Sequence, residues 1–416
     1  MSEPIELREY TADVCHLAAP DEDYLRARFG KSFEIGPRLP DGSVQINPQQ
    51  FVCVLSLPSG RTLVVHPKVP VRNIFQMFVH AYGFKSPFEP EHAALTDIRD
   101  LIELVIMHFA DLVEARIQRG LYRDYVERED NLNTVRGRIV MREQIQRNAV
   151  LQHRMFCRFT EFTHDIPENQ VIRQVVHRLI PFATLPELRI RLNQLDGTLG
   201  DITPTHLTSA ALDTMHYHRL NDDYLPIHRL CRLFLDGFSL EDQSGAFDLR
   251  AFVVDMNSLF ERFVAALVTT HRPGDGHAVA QTHRHLDIEN AIAIRPDLIL
   301  RRSGVETLIA DTKYKNIDDT RPADADFYQM VSYCLSQNVA RGVLVYPTRG
   351  GAPDRSFTIR NAQITVHTRF VNLDVPAANF AAMCAEMAAR IWALAAPATV
   401  NPSVPLPTAE AIYSPA

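Results

Sequence analysis

The sequence predicts an α+β multidomain protein, and three observations support that prediction. The chain has 416 residues, too many for one ordinary hydrophobic core. Its N-terminal region is strand-like, and helical periodicity replaces that pattern further on. In the C-terminal half, predicted helices and strands alternate. We therefore expect a β-rich N-terminal domain (1–95), a mainly helical middle region (96–202), a C-terminal α/β domain with a mixed sheet (203–397) and a disordered Pro-rich tail (398–416).

The N-terminal prediction depends on one hairpin. FVCVLSL (51–57) and RTLVVHP (61–67) are rich in β-branched residues and flank a Pro-Ser-Gly turn. Prolines spaced through this region keep its strands short, as is typical of a small barrel or sandwich.

The remaining elements follow from apolar periodicity. In the middle region we predict helices over 101–120, 169–185 and 189–199, with a basic, strand-like stretch, TVRGRIVMREQI, between the first two. Farther along, we predict helices over 224–238, 252–271, 325–337 and 379–396, and strands over 295–301, 307–315, 341–347 and 362–371.

Composition excludes several classes of protein. The formal net charge of −7 argues against binding of nucleic acid through bulk charge, although a local basic patch stays compatible with it. No uninterrupted apolar run reaches 18 residues, and the acidic N-terminus does not resemble a signal peptide, so we expect a cytoplasmic protein with no membrane partner. The six cysteines stand singly and are expected to be buried. No GxxxxGK[ST] occurs, so the chain itself should not hydrolyse nucleotide.

The segment RPDLILRRSGVETLIADTKYK (295–315) carries the chemistry. It reads as two strands around a Ser-Gly turn, and hence as a hairpin. A turn centred on Gly304 places Asp297 opposite Asp311, because each lies seven residues from that glycine. Lys313 lies two residues beyond Asp311, so its side chain points to the same face.

Two facing carboxylates repel each other unless a positive charge neutralises them. A divalent cation held by Asp297 and Asp311 would do so, and hard oxygen ligands suit Mg²⁺. The alternative is an exposed hairpin on which Asp311 and Lys313 form a surface ion pair. The apolar residues between the charges indicate a half-buried strand and favour the catalytic interpretation.

Pro296-Asp297 followed by Asp311-Thr312-Lys313 resembles the motif of the PD-(D/E)xK nuclease superfamily. The resemblance implies that Asp297 and Asp311 bind Mg²⁺ and that Lys313 assists the attacking water. It also implies that Glu261, on the preceding helix, completes the metal site. A solvated glutamate is an equally open interpretation of Glu261.

Gln329 and Tyr333 match the Q-x-x-x-Y pattern that many of these nucleases carry on the following helix. Gln329 is thereby included in the catalytic set or contacts DNA, and a plain surface glutamine is the alternative. Tyr333 and Arg295 are further candidates for contact with DNA. Arg136 and Arg138 flank a glycine. One interpretation is that they contact phosphate; the other is that they pair with local carboxylates around a tight turn at the glycine.

Histidine pairs at 216–218 and 283–285 suggest zinc, but no third ligand stands at a suitable spacing, so solvated or DNA-facing histidines are favoured.

Four ordered blocks extend the resemblance to the McrC family, the nuclease subunits of McrBC-type restriction systems. They are NLNTVRGRIVMREQI, CRFTEFTHDIPENQVIRQVVHRL, RLNDDYLPIHRLCRLFL and FVVDMNSLFERFV, and the similarity spans roughly 100–350. The resemblance implies a Mg²⁺-dependent endonuclease that cuts double-stranded DNA beside a McrB-type hexameric motor. It further implies that the N-terminal domain docks on the motor, that the chain stimulates its GTPase, and that GTP acts only through the partner. The alternative is a regulatory module of a motor NTPase with a vestigial nuclease centre.

Overall fold

The structure is a computed structural model that describes residues 4–30, 32–83, 97–151, 153–239, 251–315, 323–348 and 353–396. The chain separates into two compact units, Met1–Phe263 with Leu373–Ala377, and Val264–Asn372 with Ala378–Ala416. Each unit mixes helices with sheets, so the α+β class is confirmed. The predicted domain limits stay predictions, and the predicted tail lies outside the described residues.

The described residues of the first unit form three sheets, with strand orders β1-β6-β5-β10, β2-β4-β3 and β7-β9-β8. Its strands are β1 (Ile5–Arg8), β2 (Asp13–Cys15), β3 (Phe33–Arg38), β4 (Val44–Pro48), β5 (Phe51–Ser56), β6 (Thr62–His66), β7 (Asp124–Leu132), β8 (Arg138–Ile139), β9 (Met155–Thr163) and β10 (Ala251–Asp255). The predicted N-terminal hairpin is confirmed, because β5 pairs antiparallel with β6 and Gly60 has a left-handed φ of 81° in the connecting turn.

The same unit contains helices that pack on these strands and on one another. They are α1 (Ala19–Phe29), α2 (Val71–Tyr82), α3 (Ile98–Arg119), α4 (Met141–Arg147), α5 (Pro167–Leu179), α6 (Pro186–Thr198) and α7 (Leu225–Ser239). The long helix α3 begins where the Asp97 carboxylate accepts a 2.9 Å hydrogen bond from Arg99 N, and it ends at Gly120, as predicted. In the part of the chain that the structure describes, no helix is long and apolar enough to cross a membrane.

The predicted helix over 252–271 is wrong in its first turn. Residues 251–255 form β10, which pairs antiparallel with β5, and helix α8 (Met256–Thr270) follows. Phe252, Val253 and Val254 are all buried. Strand β10 is the fourth strand of the sheet that contains β1, β6 and β5. Asp255 then begins α8 by accepting a 2.9 Å hydrogen bond from Asn257 N. The apolar run suits either element, and only the distant β5 decides between them.

The middle region is less helical than predicted. Strands β7 and β9 pair along nine residues each, and the stretch predicted to be strand-like becomes the short β8 followed by α4. The pattern of β7, DYVEREDNL, shows no apolar alternation, because neither face of that strand is fully buried.

The second unit contains a six-stranded mixed sheet of order β11-β14-β15-β16-β18-β17 and a small β12–β13 ribbon. Its strands are β11 (Gly276–Ala280), β12 (Arg284–His285), β13 (Ala293–Ile294), β14 (Leu298–Arg302), β15 (Val305–Thr312), β16 (Arg341–Thr348), β17 (Arg355–Thr358) and β18 (Thr365–Asn372). β15, β16 and β18 run parallel, whereas β11, β14 and β17 are antiparallel to their neighbours. The predicted mixed sheet is therefore confirmed.

Helices α9 (Asp324–Ser336) and α10 (Ala377–Leu394) belong to the same region of the chain. α9 packs on the central strands through a cluster that includes Met330, Cys334, Ile309 and Leu344. The position of α9 matters because the side chains at its N-terminal end lie beside the C-terminal end of β15.

Candidate active site

The β14–β15 hairpin has the predicted register where it matters. Leu298 pairs with Ala310 and Ile299 with Ile309, so the next step beyond Leu298 brings Asp297 to the level of Asp311. A bulge shifts the pairing after Leu300, on the turn side of the hairpin. The pairs next to the turn, Arg302 with Val305 and Arg301 with Glu306, are centred between Ser303 and Gly304, and the bulge moves the register by one residue. Asp297 reaches the level of Asp311 because of that bulge, since an unbroken hairpin from the same turn would place it opposite Ala310.

Asp297 is held by its neighbour across the hairpin. Its Oδ2 accepts 2.7 Å hydrogen bonds from both the backbone N and the Oγ1 of Thr312. Its own carbonyl accepts a 2.8 Å bond from Gln281 N. Thr312 therefore fixes one carboxylate oxygen of Asp297, and Gln281 fixes its backbone carbonyl. Asp297 has little freedom to move.

Asp311 is the buried carboxyl of the site, with only 2% of its surface exposed. Burial, reinforced by the negative charge of Asp297 and opposed by Lys313, raises the pKa of Asp311 to about 7. The Lys313 ammonium group therefore does not offset the combined effect of burial and of the Asp297 charge on Asp311. Perturbed carboxyl groups of this kind concentrate at functional sites.

Lys313 connects the hairpin to α9. Its Nζ lies 2.7 Å from Asp311 Oδ2 and donates a 2.8 Å hydrogen bond to Gln329 Oε1. Its backbone N donates to Val345 O on β16 at 2.9 Å, which fixes the position of the residue just past the end of β15. Burial alone would lower the pKa of Lys313, but the carboxylates of Asp311, Asp297 and Asp326 together outweigh burial and raise that pKa. The ammonium group is therefore charged.

A chain of hydrogen bonds continues from Lys313 across α9. Gln329 Nε2 donates to the hydroxyl of Tyr333 at 2.7 Å, and that hydroxyl donates to the carbonyl of Arg295 at 3.4 Å. Burial, with a contribution from Asp311, raises the pKa of Tyr333, so the hydroxyl keeps its proton. Gln329 and Tyr333 thus lie in the site through side-chain contacts, whereas Arg295 contributes its carbonyl and turns its exposed side chain to Gln281.

The donor set fits a divalent cation. Asp311 Oδ2 is buried and close to Lys313, yet no donor among the described residues makes an aligned hydrogen bond to it. Two carboxylates with an acceptor atom left over are hard oxygen ligands of the type that Mg²⁺ takes. Within the described ranges no three His, Cys, Asp or Glu side chains are grouped to hold one metal, so Asp297 and Asp311 are two candidate ligands and their binding of Mg²⁺ stays a prediction. Glu261 lies on α8 within the first unit, and its metal-binding role stays a prediction.

A second charged cluster lies next to the first and was not identified from the sequence. Lys315 Nζ donates to Asp326 Oδ1 at 2.6 Å, and the Tyr346 hydroxyl donates to the other oxygen at 2.9 Å. The charge of Asp326 acts on both Asp311 and Lys313. In the sequence, only Lys315 of the segment DTKYK (311–315) pointed to this cluster. Asp326 and Tyr346 join it through tertiary packing.

The remaining candidates from the sequence, Arg136, Arg138 and the two histidine pairs, are not among the described contacts of this site. Arg136 sits 4.3 Å above the ring of Phe159 and 3.3 Å from Glu161, and Gly137 between the two arginines has a φ of 67°. These contacts are those of the structural interpretation, while contact of Arg136 or the exposed Arg138 with phosphate stays a prediction. In the first histidine pair, His218 contacts Tyr122, and neither pair joins a metal-binding group among the described residues.

Comparison with known proteins assigns the chain to a family. Residues 46–347 match the family model described as McrBC 5-methylcytosine restriction system component. The chain belongs to the McrBC family. It is thereby a McrBC restriction system component, and the family expected from the sequence is confirmed.

Individual members of the McrBC family are distant in sequence. The Type IV methyl-directed restriction enzyme EcoKMcrBC of Escherichia coli (strain K12) is 22% identical over 335 residues, which cover 74% of this chain and 93% of that protein. A chain of the tetradecameric assembly of Thermococcus gammatolerans McrB AAA+ hexamers with bound McrC is 19% identical, with a TM-score of 0.54 over 92% of this chain and 98% of that one. That likeness shows a shared fold. A chain of the Thermococcus gammatolerans McrBC complex is 21% identical, with a TM-score of 0.41 over 68% of this chain and 90% of that one.

Proposed function

We propose that this McrBC-family chain is the Mg²⁺-dependent endonuclease subunit of a modification-dependent restriction system and hydrolyses phosphodiester bonds in double-stranded DNA. The observation that carries the proposal is the Asp297–Asp311 pair with Lys313 held against it at 2.7 Å from Asp311. The same residues form the PD-(D/E)xK motif, which makes that nuclease fold the proposed one for the second unit.

The chain's own residues have distinct roles in this reaction. Asp297 and Asp311 would hold the metal ion, which supplies a Lewis acid and lowers the pKa of bound water. Lys313 uses one hydrogen for Gln329 and faces Asp311 with its charge, so it can donate to the attacking water or a phosphate oxygen. Water adds to phosphorus, the bond from phosphorus to the leaving oxygen breaks, and a proton passes to that oxygen.

Gln329 and Tyr333 act by positioning. Gln329 accepts from Lys313 and donates to Tyr333, so it fixes the direction of the ammonium group without contacting the substrate. Preorganised donors of this kind lower the barrier because they need not reorient as charge develops.

The partner is proposed from the relatives. The Thermococcus gammatolerans assembly combines McrB AAA+ hexamers with McrC. This chain lacks a GxxxxGK[ST] loop, so a McrB-type hexameric motor would supply GTP hydrolysis, and the chain would stimulate that activity.

The deciding experiment compares Asp311→Ala with the wild type in the presence of the McrB-type partner, GTP and Mg²⁺. We expect DNA cleavage to fall by more than about 100-fold, because a metal ligand is lost. Asp201→Ala, at an exposed aspartate of the first unit, is the matched control and should cleave normally. Retained cleavage by Asp311→Ala would overturn the proposed centre. If the wild type never cleaves DNA yet raises the GTPase rate of the partner, the chain is a regulatory module.

A further inference from the structure

Lys315 and Asp326 form an ion pair in which the buried carboxylate fixes the position of the lysine's positive charge. Asp326 is 4% exposed, and each of its carboxylate oxygens has a donor, Lys315 Nζ at 2.6 Å and the Tyr346 hydroxyl at 2.9 Å. A carboxylate fixed on both oxygens cannot rotate. It therefore holds the ammonium group of Lys315 in one place.

The two lysines of the site contact side chains that lie about one helical turn apart on α9. Asp326 and Gln329 are three residues apart on α9, and side chains at that spacing are neighbours about 5–6 Å apart. Lys315 binds the first of them and Lys313 the second. Both ammonium groups are therefore directed to the same face of α9, beside one another.

Lys315 also retains hydrogen-bonding capacity. An ammonium group has three donors, and Lys315 gives one to Asp326 while 48% of its side chain stays exposed. A pair in which one partner is half exposed adds only about 0–1 kcal/mol to stability. Stability alone is therefore a weak reason to bury Asp326 beside two further carboxylates, whereas positioning a point charge for an anion is a sufficient one.

We propose that Lys315 binds the phosphate adjacent to the scissile phosphate of duplex DNA, with Asp326 and Tyr346 as its positioning residues. The inference rests on the proposed nuclease function, which puts the scissile phosphate at Lys313. A contact to backbone phosphate carries no sequence information, so it would strengthen binding equally on every DNA sequence.

The test is the salt dependence of binding of a fluorescein-labelled DNA duplex by the full chain, with Ca²⁺ in place of Mg²⁺. Loss of one phosphate contact reduces the slope of log K against log salt by about 0.9. We expect that reduction for Lys315→Gln, and no reduction for Lys315→Arg, which keeps the charge. With the partner and Mg²⁺, Lys315→Gln should raise the DNA concentration needed for half-maximal cleavage and leave the maximal rate within about 3-fold of wild type.

Two further variants make the result decisive. The double variant Lys315→Gln with Asp326→Asn removes both charges and leaves no buried charge unpaired, so it replaces Lys315→Gln if that single variant folds poorly. Its slope of log K against log salt should be reduced by the same amount. Arg360→Gln removes one exposed cation near the opposite end of the central strands and should keep the wild-type slope. An unchanged slope in Lys315→Gln and in the double variant, or an equal reduction in Arg360→Gln, overturns the proposal. Failure of the nuclease function is a separate result, seen as absence of cleavage by the wild type.

Discussion

Gly342 of β16 lies directly beneath Met330 of α9. A Cβ at position 342 would stand 2.5 Å from Met330 Cγ, closer than real side chains approach each other, and 3.1 Å from Cys334 Sγ, which is a tight contact. The missing side chain lets α9 sit close to the sheet. Because Gln329 precedes Met330, this close approach also sets the distance between Gln329 and Lys313.

Gly342→Ala should therefore affect both stability and the site. Overpacking of a filled core costs about 1–3 kcal/mol, and displacement of α9 should also weaken the contact of Gln329 with Lys313. Urea unfolding and partner-dependent cleavage measure the two effects. Gly197→Ala is the control, because position 197 of helix α6 has open space for a Cβ and should be neutral or slightly stabilised. Wild-type stability in Gly342→Ala would show that α9 tolerates displacement.

The hairpin at the centre of the site was predictable from the sequence, because two strand-like runs flank a short turn. Counting outwards from Gly304 gives the pairing of Asp297 with Asp311, but the turn itself is centred between Ser303 and Gly304. The bulge after Leu300 supplies the missing residue, and the local sequence does not reveal it. Helix α9 followed from its apolar periodicity, and with it the shared face of Gln329 and Tyr333.

The rest depended on contacts between segments far apart in the chain. β10 is a strand because β5 pairs with it, almost two hundred residues earlier, and its local sequence suits a helix equally well. The cluster of Lys315, Asp326 and Tyr346 likewise forms only once α9 packs on β16. Neither arrangement leaves a periodic signal in the local sequence.

A substitution of Gln329 tests whether this residue orients the Lys313 ammonium group without taking part in the reaction itself. Gln329→Leu removes the acceptor for Lys313 and the donor for Tyr333, and loss of one such hydrogen bond corresponds to about 1.4 kcal/mol, or roughly 10-fold in rate. We expect the maximal cleavage rate to fall by that factor at unchanged DNA affinity. Ser332→Ala, on the same helix but bonded only to Tyr328 O among the described contacts, should behave as wild type. A change in affinity without a change in rate would assign Gln329 to DNA binding instead.

Metal binding can be detected without catalysis. If Asp297 and Asp311 hold Mg²⁺, then Mg²⁺ at about 100 times its dissociation constant stabilises the folded protein by about 2.7 kcal/mol. The midpoint of thermal unfolding should therefore rise with Mg²⁺ concentration in the wild type and in Asp201→Asn. In Asp311→Asn it should not rise, although this variant should be more stable than the metal-free wild type, because burial raises the pKa of Asp311 and disfavours its charge. An equal Mg²⁺ effect in all three proteins would place the metal elsewhere.

His228, in helix α7, predicts how the stability of the first unit depends on pH. It is 2% exposed, and its Nε2 lies 2.9 Å from Glu168 O while Nδ1 lies 2.8 Å from the Tyr217 hydroxyl. A carbonyl oxygen only accepts, so Nε2 carries the proton and Nδ1 accepts from Tyr217. Burial, opposed by the bond to Glu168 O, lowers the pKa of His228 to about 4.

Because this pKa is lower in the folded state than in the unfolded state, the unfolded chain takes up the proton first. The stabilisation is complete above about pH 6.5 and is lost as the pH falls towards 4, and the loss amounts to about 3 kcal/mol. Urea unfolding at a series of pH values should show this decline in the wild type. His228→Gln should be less stable at neutral pH but should show a shallower decline, whereas His153→Gln, at an exposed histidine, should follow the wild type. Parallel curves for the wild type and His228→Gln would show that His228 does not control the acid sensitivity of this unit.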